Sequence, residues 1–308
     1  MLTEDQYFVC DGVGTYNGSK IHCHKTSGHG GLDVTGALMA SCNDALMQMA
    51  VNYIKKDVFC DYQSKFNIGR YTGIDLPGEE SCSAQIYTAD RMYDVDLATN
   101  SFGQNYYVTM VQMCAAYCSL VNGGNYYEPH VVKEVINNDG NVIERFDPVV
   151  VRQTVSEKTC EFIKHALFQT VENGTGNLVK IDGYEIGGKT GTAEKANYQS
   201  NEKETYTVSF MAVAPAYDPE VVVYVVVDEP HVEKSQNTYQ AKGLAKDTLE
   251  AILPYLNIYP TADENGLHSR YDFTSQEDDE LFDEEGEVDN HDLDQLRQER
   301  EPGNNSNE

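Results

Sequence analysis

The residues whose types and spacing suggest chemistry are concentrated between Gly187 and Glu194. In that stretch glycines surround a lysine and two threonines, in the order Gly-Gly-Lys-Thr-Gly-Thr. Glycine has no Cβ, so a ligand backbone can approach such a strand closely. Lys189 adds a positive charge, and Thr190 a hydroxyl that can donate to a carboxylate. The pattern is typical of a strand edge that binds an anionic, carbonyl-bearing ligand. A Gly-rich strand end with an exposed lysine would have the same sequence.

A second polar triplet, Ser41-Cys42-Asn43, interrupts a helical pattern far upstream. Serine and asparagine satisfy the free amides at a helix N-terminus, so an ordinary cap accounts for both residues. A cap also directs its side chains out of the helix end, where they could meet a ligand.

The elements that position these triplets follow from periodicity. Apolar spacing and capping residues predict helices at 33–39, 43–55, 109–121, 156–171 and 241–256, whereas 60–108 is irregular. A hairpin is predicted at 131–146, and strands at 183–192, 205–214 and 220–228. The run Val221–Val227 does not alternate, which predicts a strand buried on both faces. The order predicts a mixed α/β domain of the α+β class, with an antiparallel sheet flanked by helices.

Composition limits the partners. The chain has 308 residues, 40% of them hydrophobic, and a formal net charge of −28. Residues 261–308 carry half of that charge and few apolar side chains, which predicts a disordered acidic tail. Without a basic stripe, nucleic acid is not expected as a partner, nor direct contact with an anionic membrane surface. No apolar run is long enough to span a membrane, and the residues after Met1 do not resemble a signal peptide. The chain is therefore either cytosolic or the later part of a longer protein.

The eight cysteines are too sparse for a disulfide scaffold. Cys10 and Cys23 bracket a Gly-rich loop and could pair in an oxidising compartment. A zinc site would draw on Cys10, His22, Cys23, His24 and His29, but the paired spacing of standard zinc motifs is absent. The sequence therefore predicts no metal site.

Together the motifs resemble a known family. Eight segments occur in the order seen in class B penicillin-binding transpeptidases: Gly28-His29-Gly30, Ser41-Cys42-Asn43, Thr72–Glu79, Leu97–Gln104 with Val108-Thr109, Asn122-Gly123-Gly124, Gly174-Thr175-Gly176, Gly187–Ala193 and Ser209–Pro215. The resemblance covers roughly residues 7–258, and the sporulation and septal enzymes of Gram-positive bacteria look most similar. It implies a penicillin-binding protein/β-lactamase-like transpeptidase fold and D,D-transpeptidase activity without a cofactor.

The resemblance assigns catalytic roles to three residues. The Ser41 hydroxyl would shuttle protons between the nucleophile and the leaving amine. Asn43 would hydrogen-bond the amide of the acyl donor, and Lys189 would supply positive potential. Cys42 would face the core and has no expected catalytic role.

Three further residues would bind substrate. Thr190 would bind the carboxylate of D-Ala-D-Ala or of a β-lactam, next to Gly191, and the Thr192 N–H would be one of two oxyanion-hole donors. The turn Gly174–Gly176 would shape the rim of the site, or would simply end a helix. The implied partners are peptidoglycan stem peptides and β-lactams, with divisome or elongation-complex proteins as further candidates.

One expected motif is missing. The nucleophile motif Ser-x-x-Lys should precede Ser41, but its only match in the chain is Ser200–Lys203, in a polar loop beside acidic residues that would keep the lysine protonated. We expect residues 1–260 to be an N-terminally truncated transpeptidase domain that lacks its nucleophile segment and is inactive alone. The full-length protein would act at the extracytoplasmic face of the membrane, attached through a missing N-terminal anchor.

Two alternatives remain at this stage. One is a non-catalytic β-lactam sensor or peptidoglycan-binding partner protein, and the other is a β-lactamase, for which no deacylating carboxylate is evident. The resemblance also implies a Cys10–Cys23 disulfide, because related extracytoplasmic enzymes carry a cysteine pair at these places.

Overall fold

The computed structural model describes residue 3 and residues 6–195, 205–232 and 238–260. The acidic tail at 261–308 and the Ser200–Lys203 match lie outside the described residues. The helices are α1 Val34–Met39, α2 Asn43–Gln48, α3 Lys55–Lys65, α4 Asp94–Ser101, α5 Met110–Val121, α6 Glu157–Glu172 and α7 Tyr239–Tyr255. The strands are β1 Phe8–Cys10, β2 Val13–Tyr16, β3 Ser19–His22, β4 Gly30–Leu32, β5 Asn125–Tyr127, β6 Glu134–Ile136, β7 Val142–Arg145, β8 Val150–Gln153, β9 Gly187–Glu194, β10 Tyr206–Ala214 and β11 Val221–Asp228.

A three-stranded antiparallel sheet in the order β11-β10-β9 forms the centre of the fold. Side chains alternate between its faces, because successive residues of a strand point to opposite sides. Phe210 and Ala212 of β10 pack with Leu249 and Leu253 of α7 on one face. The next residues along β10 pack with α5 and α6 on the other face. The sheet is thus flanked by helices on both sides, which confirms the predicted α+β architecture.

Strand β11 differs from its prediction in one respect. Both of its faces are covered, since Val221 and Val223 pack towards α7, and Val222 and Tyr224 towards α5 and α6. Only Val225 is buried, however, with 8% of its surface exposed. The reason is position: β11 is the edge strand of a sheet only three strands wide, so water reaches it from the side.

The N-terminal part is built from short pieces. The pairs β1–β4 and β2–β3 are two-stranded and antiparallel, in a region where no strand was predicted from the sequence. Helix α1 ends at Met39, and α2 begins at Asn43 after a break, as the sequence predicted. The helical path from α2 then continues through a π-helical stretch at Met49–Ile54 into α3, past the predicted end at residue 55. Among the described helices, none combines the length and apolar character that a membrane span requires.

Candidate active site

The break between α1 and α2 places Ser41 at the surface of the fold. Ser41 has a left-handed backbone with φ of 51°, a conformation that few residues other than glycine and asparagine adopt without cost. The next residue, Cys42, caps α2, and its Sγ accepts a hydrogen bond from the Ala45 N–H at 3.4 Å. Cys42, and not Ser41 or Asn43, therefore caps α2. Ser41 lies outside the helix, and Asn43 is the first residue of α2.

Strand β9 lies against this break. The Lys189 ammonium donates to the Ser41 Oγ at 2.7 Å and to the Thr190 carbonyl at 3.3 Å. Ser41 and Lys189 are 148 positions apart in the chain, so only the tertiary fold brings them together. Because the Ser41 oxygen accepts from the lysine, its own proton remains available for a third group.

The surroundings of Lys189 also change its acidity. The side chain is partly withdrawn from solvent between β9 and the helix break, and burial disfavours a charged ammonium. This desolvation lowers the pKa of Lys189 to about 8. At neutral pH the group is still mostly protonated, so this part of the site carries a positive charge.

The hydroxyl of Thr190 is held by a residue of another element. Thr175, in the turn after α6, has its Oγ1 at 3.2 Å from the Thr190 Oγ1 and donates to the Met39 carbonyl at 3.3 Å. The Thr175 carbonyl in turn accepts from the Lys242 ammonium of α7 at 3.1 Å. Burial lowers the pKa of Lys242 as well. The turn at 174–176 thus joins the end of α1 to β9 and is more than a helix terminus.

Thr192 occupies the open edge of the sheet. Strand β9 pairs with β10 on one side only. The Thr192 carbonyl points away from β10, because it accepts a hydrogen bond from the Gln104 side chain at 3.1 Å. Since the N–H and C=O of a strand residue point to the same side, the Thr192 N–H faces this edge too. Gly191, the residue before it, instead packs towards Ser209 of β10.

The structure therefore brings together Ser41, Lys189 and Thr190 by direct contacts, with Asn43 and Thr192 on the adjoining backbone. Three residues without an individual role in the sequence analysis also contact the site: Gln104, Thr175 and Lys242. The segment around Gln104 and the turn around Thr175 are two of the motifs on which the family resemblance rests. Lys242 has no local signal, because it is one cation in an amphipathic helix.

A second cluster lies directly behind Ser41 and Asn43. The side chains of Cys10, Cys23, His29 and Cys42 are all buried, and their potential ligand atoms lie within 4.8 Å of one another. The structure describes Cys10 and Cys23 as free thiols, and not as the disulfide that the family resemblance implied. The sequence predicted no metal site, because these four residues come from four separate elements without a standard spacing.

Comparisons with known proteins agree with this geometry. Residues 1–250 match the family model of the penicillin binding protein transpeptidase domain. Stage V sporulation protein D of Bacillus subtilis is 33% identical over 271 residues, which cover 88% of this chain and 41% of the relative. The chain thus spans about two fifths of the length of that relative.

Solved structures show the same fold. Penicillin-binding protein 3 of Mycobacterium tuberculosis, crystallised with ampicillin, matches with a TM-score of 0.74 and 24% identity, over 85% of this chain and 60% of that one. The transpeptidase domain of penicillin-binding protein 3 from Burkholderia pseudomallei matches with a TM-score of 0.73 and 24% identity, over 85% and 76% of the two chains. The match to the family model across most of the chain, with the same fold and the Ser41–Lys189 contact, shows that this chain belongs to the penicillin-binding protein transpeptidase family.

Proposed function

We propose that this domain binds the D-Ala-D-Ala end of peptidoglycan stem peptides, and β-lactams that mimic it, between the α1–α2 break and the edge of β9. In the full-length protein this binding would serve the cross-linking of the cell wall. The single observation that carries the proposal is the 2.7 Å hydrogen bond from Lys189 to Ser41, which joins the two polar triplets into one site. Action at the extracytoplasmic face of the membrane, with division or elongation proteins as partners, belongs to the same proposal.

Each group of the site has a role in binding such a ligand. The C-terminal carboxylate would lie against the Thr190 hydroxyl and the Lys189 charge, because charged hydrogen bonds are about twice as strong as neutral ones. The carbonyl of the scissile bond would point to the Thr192 N–H at the open strand edge. Ser41, whose oxygen is occupied by Lys189, can pass its proton to a leaving amine.

This chain alone is expected to bind without reacting. The Ser-x-x-Lys motif occurs in it only at Ser200–Lys203, outside the described residues. Without a nucleophile no acyl-enzyme forms, and only the residual contribution of binding and the oxyanion hole remains. The nucleophile's own amide would be the second oxyanion donor. Loss of one such donor typically costs about 3–4 kcal/mol of transition-state stabilisation.

The direct test combines a covalent probe with a binding measurement. Incubation of the purified chain with a fluorescent penicillin is expected to give no label that survives denaturation. Titration with an acylated D-Ala-D-Ala peptide should shift the amide resonances of β9, whereas the L-Ala-L-Ala peptide should not. A stable label at Ser41 or Ser200 would overturn the inactivity of the chain. Equal shifts with both peptides would overturn the proposed ligand.

A second candidate is a β-lactam sensor or a peptidoglycan-binding partner protein. It is favoured by the coexistence of an intact Ser41–Lys189 contact with the missing nucleophile motif. The DNA upstream of codon 1 separates the two functions. An in-frame Ser-x-x-Lys preceded by a membrane span supports the transpeptidase, and a stop codon directly upstream supports the sensor.

A further inference from the structure

Residues 41–43 form one side of the proposed binding site and are called the Ser41 wall below. The cluster that lies behind them has the composition of a metal site. It contains three thiols and one imidazole, and each is buried, with between 0 and 3% of its surface exposed. Cys10 ends β1, Cys23 follows β3, His29 precedes β4, and Cys42 caps α2. Three cysteines with one histidine is a donor set typical of structural zinc, which binds four ligands in a closed tetrahedron.

The distances match that tetrahedron. The Sγ atoms of Cys10 and Cys23 lie 3.6 and 3.5 Å from the His29 Nδ1, and the Sγ atoms of Cys23 and Cys42 are 3.9 Å apart. Bonds of about 2.3 Å to sulfur and about 2.0–2.1 Å to nitrogen give tetrahedral edges of about 3.8 Å between sulfurs and about 3.6 Å between sulfur and nitrogen. These three separations agree with the edges of a zinc tetrahedron, and all the ligand atoms lie within 4.8 Å of one another.

Hydrogen bonding alone accounts poorly for the cluster. Thiols are weak donors and weak acceptors, and a neutral imidazole offers one acceptor nitrogen, so three thiols around one imidazole gain little. The Ala45 N–H donates to the Cys42 Sγ. A metal-bound thiolate carries negative charge and is stabilised by such an N–H donor. A disulfide needs two sulfurs about 2.05 Å apart, far from the 3.9 Å between Cys23 and Cys42.

The elements around the cluster also need a cross-link. Strands β1 to β4 have three or four residues each and form two separate two-stranded sheets. Such pairs are at best marginally stable in water. Their core contains the cysteines themselves, with few large side chains, of which Phe8 and Leu32 are examples. A metal that joins four elements would supply the stability that this small core lacks.

We propose that Cys10, Cys23, His29 and Cys42 bind one structural Zn²⁺ ion, and that this ion fixes the Ser41 wall of the cleft. Cys42 lies between Ser41 and Asn43, so a ligand bond at Cys42 restrains both neighbours, including the left-handed Ser41 that accepts from Lys189. The ion has a structural role, because its ligands are four buried side chains with no open position for substrate. The zinc site is independent of the proposed peptide binding and can stand if that proposal fails.

Metal content of the purified chain tests the site directly. We expect one zinc per chain by mass spectrometry, and X-ray absorption with three sulfurs and one nitrogen around the ion. Replacement by Co²⁺ should give the intense visible bands of a tetrahedral thiolate complex. His29→Ala and Cys42→Ser should each lose most of the bound metal, while Cys160→Ser, which removes a buried cysteine from outside the cluster, should retain it.

Several results would overturn the proposal. One is a chain that binds no zinc on reconstitution although its thiols are reduced. Another is a Cys10–Cys23 disulfide found by peptide mapping. If the ligand variants fail to fold, the Co²⁺ spectrum of the unaltered chain still decides, because an octahedral spectrum or none contradicts the assignment. The effect on Ser41 is tested by the Ser41 and Lys189 resonances, which should shift on removal of zinc. Unchanged resonances would contradict the positioning role alone.

Discussion

At the scale of single residues, Lys189 combines two demands that conflict. In the proposed function it must carry charge to attract a carboxylate, yet it is partly buried beside Ser41, where charge is costly. The lowered pKa of about 8 records this conflict. Because the pKa lies close to neutrality, a modest change in pH alters the charge of the site.

We predict a pH dependence of stability from this group. Between about 8 and 10.5, the ordinary value, the unfolded chain binds a proton at Lys189 that the folded chain has released. The free energy of unfolding of the wild type, relative to Lys189→Met, should therefore rise with pH in this window, by at most about 1.4 kcal/mol per pH unit. Urea unfolding of both proteins at several pH values measures it. In the control variant Lys20→Met, at an exposed lysine, the free energy of unfolding should change with pH as it does in the wild type. The same pH dependence in Lys189→Met would contradict the burial of Lys189.

Thr175 leads to a second prediction at this scale. Thr175→Val keeps the shape of the side chain but removes the hydroxyl that contacts Thr190 and Met39. We expect a loss of about 0.5–1.5 kcal/mol in the free energy of unfolding, and weaker binding of a D-Ala-D-Ala peptide because Thr190 loses its anchor. Thr248→Val removes a helical hydroxyl that bonds only the Leu244 carbonyl in the part of the chain described. It should leave peptide affinity unchanged. Equal affinity for Thr175→Val and the wild type would show that Thr175 is a helix-end residue only.

At the scale of elements, β9 is shaped by its glycines. A Cβ added at Gly188 would lie 2.9 Å from the Met211 carbonyl and overlap the Phe210 ring, both fixed parts of the core. One at Gly191 would meet only the Ser209 hydroxyl end, which can rotate away. The two glycines therefore differ in how tightly they are packed. Gly188 permits close packing against the core, whereas the space beside Gly191 is limited only by the side chain of Ser209.

This difference is testable with three alanine variants. Gly188→Ala should lower the free energy of unfolding by about 1–3 kcal/mol, the usual cost of overpacking, and Gly191→Ala by clearly less. Gly243→Ala, in the interior of α7 with open space around it, should raise it by about 0.5–1 kcal/mol, because alanine favours a helix over glycine. Thermal or urea unfolding measures all three. If Gly191→Ala proves as costly as Gly188→Ala, the packing explanation is wrong.

Elements with local signals could be predicted from the sequence, and those set by distant contacts could not. Thr109 and Ser156 cap α5 and α6 as their sequences indicate, and the three sheet strands begin and end within a few residues of their predicted limits. The short strands β1–β4 were missed because three or four residues carry no clear periodicity. The π-helical stretch at 49–54 was missed because its hydrogen-bond shift leaves no mark in residue type.

At the scale of the whole molecule, the site lies where two separately packed regions meet. One core contains the sheet and α7, and the other contains β1, β4, α1 and α2. The motifs on each side were visible in the sequence, so the pairing of Ser41 with Lys189 could be anticipated from the family resemblance. The sequence also offered Cys10, Cys23 and His29 as possible zinc ligands, but their close approach to Cys42 could not be predicted, because β1–β4 pairing and the cap of α2 bring the four side chains together.

The two cores should therefore respond differently to removal of metal. If zinc joins the N-terminal elements, a strong chelator should abolish amide-exchange protection in β1, β4 and α1, while the sheet of β9 to β11 keeps most of its protection. Binding to the native state alone stabilises by about 4 kcal/mol at a thousandfold excess over Kd, which is comparable with the whole stability of a small region. Hydrogen exchange before and after chelation, followed by mass spectrometry of peptides, measures this.

Cys160→Ser supplies the matched control for that experiment, because it removes a buried thiol from α6 without touching the cluster. Its exchange pattern should follow the wild type, both with zinc and after chelation. His29→Ala should show the unprotected N-terminal pattern before any chelator is added. Uniform loss of protection over both cores would indicate that zinc supports the entire domain, and no loss would indicate that the small core is stable without it. Only the local loss agrees with an ion that holds the Ser41 wall against an independently folded sheet.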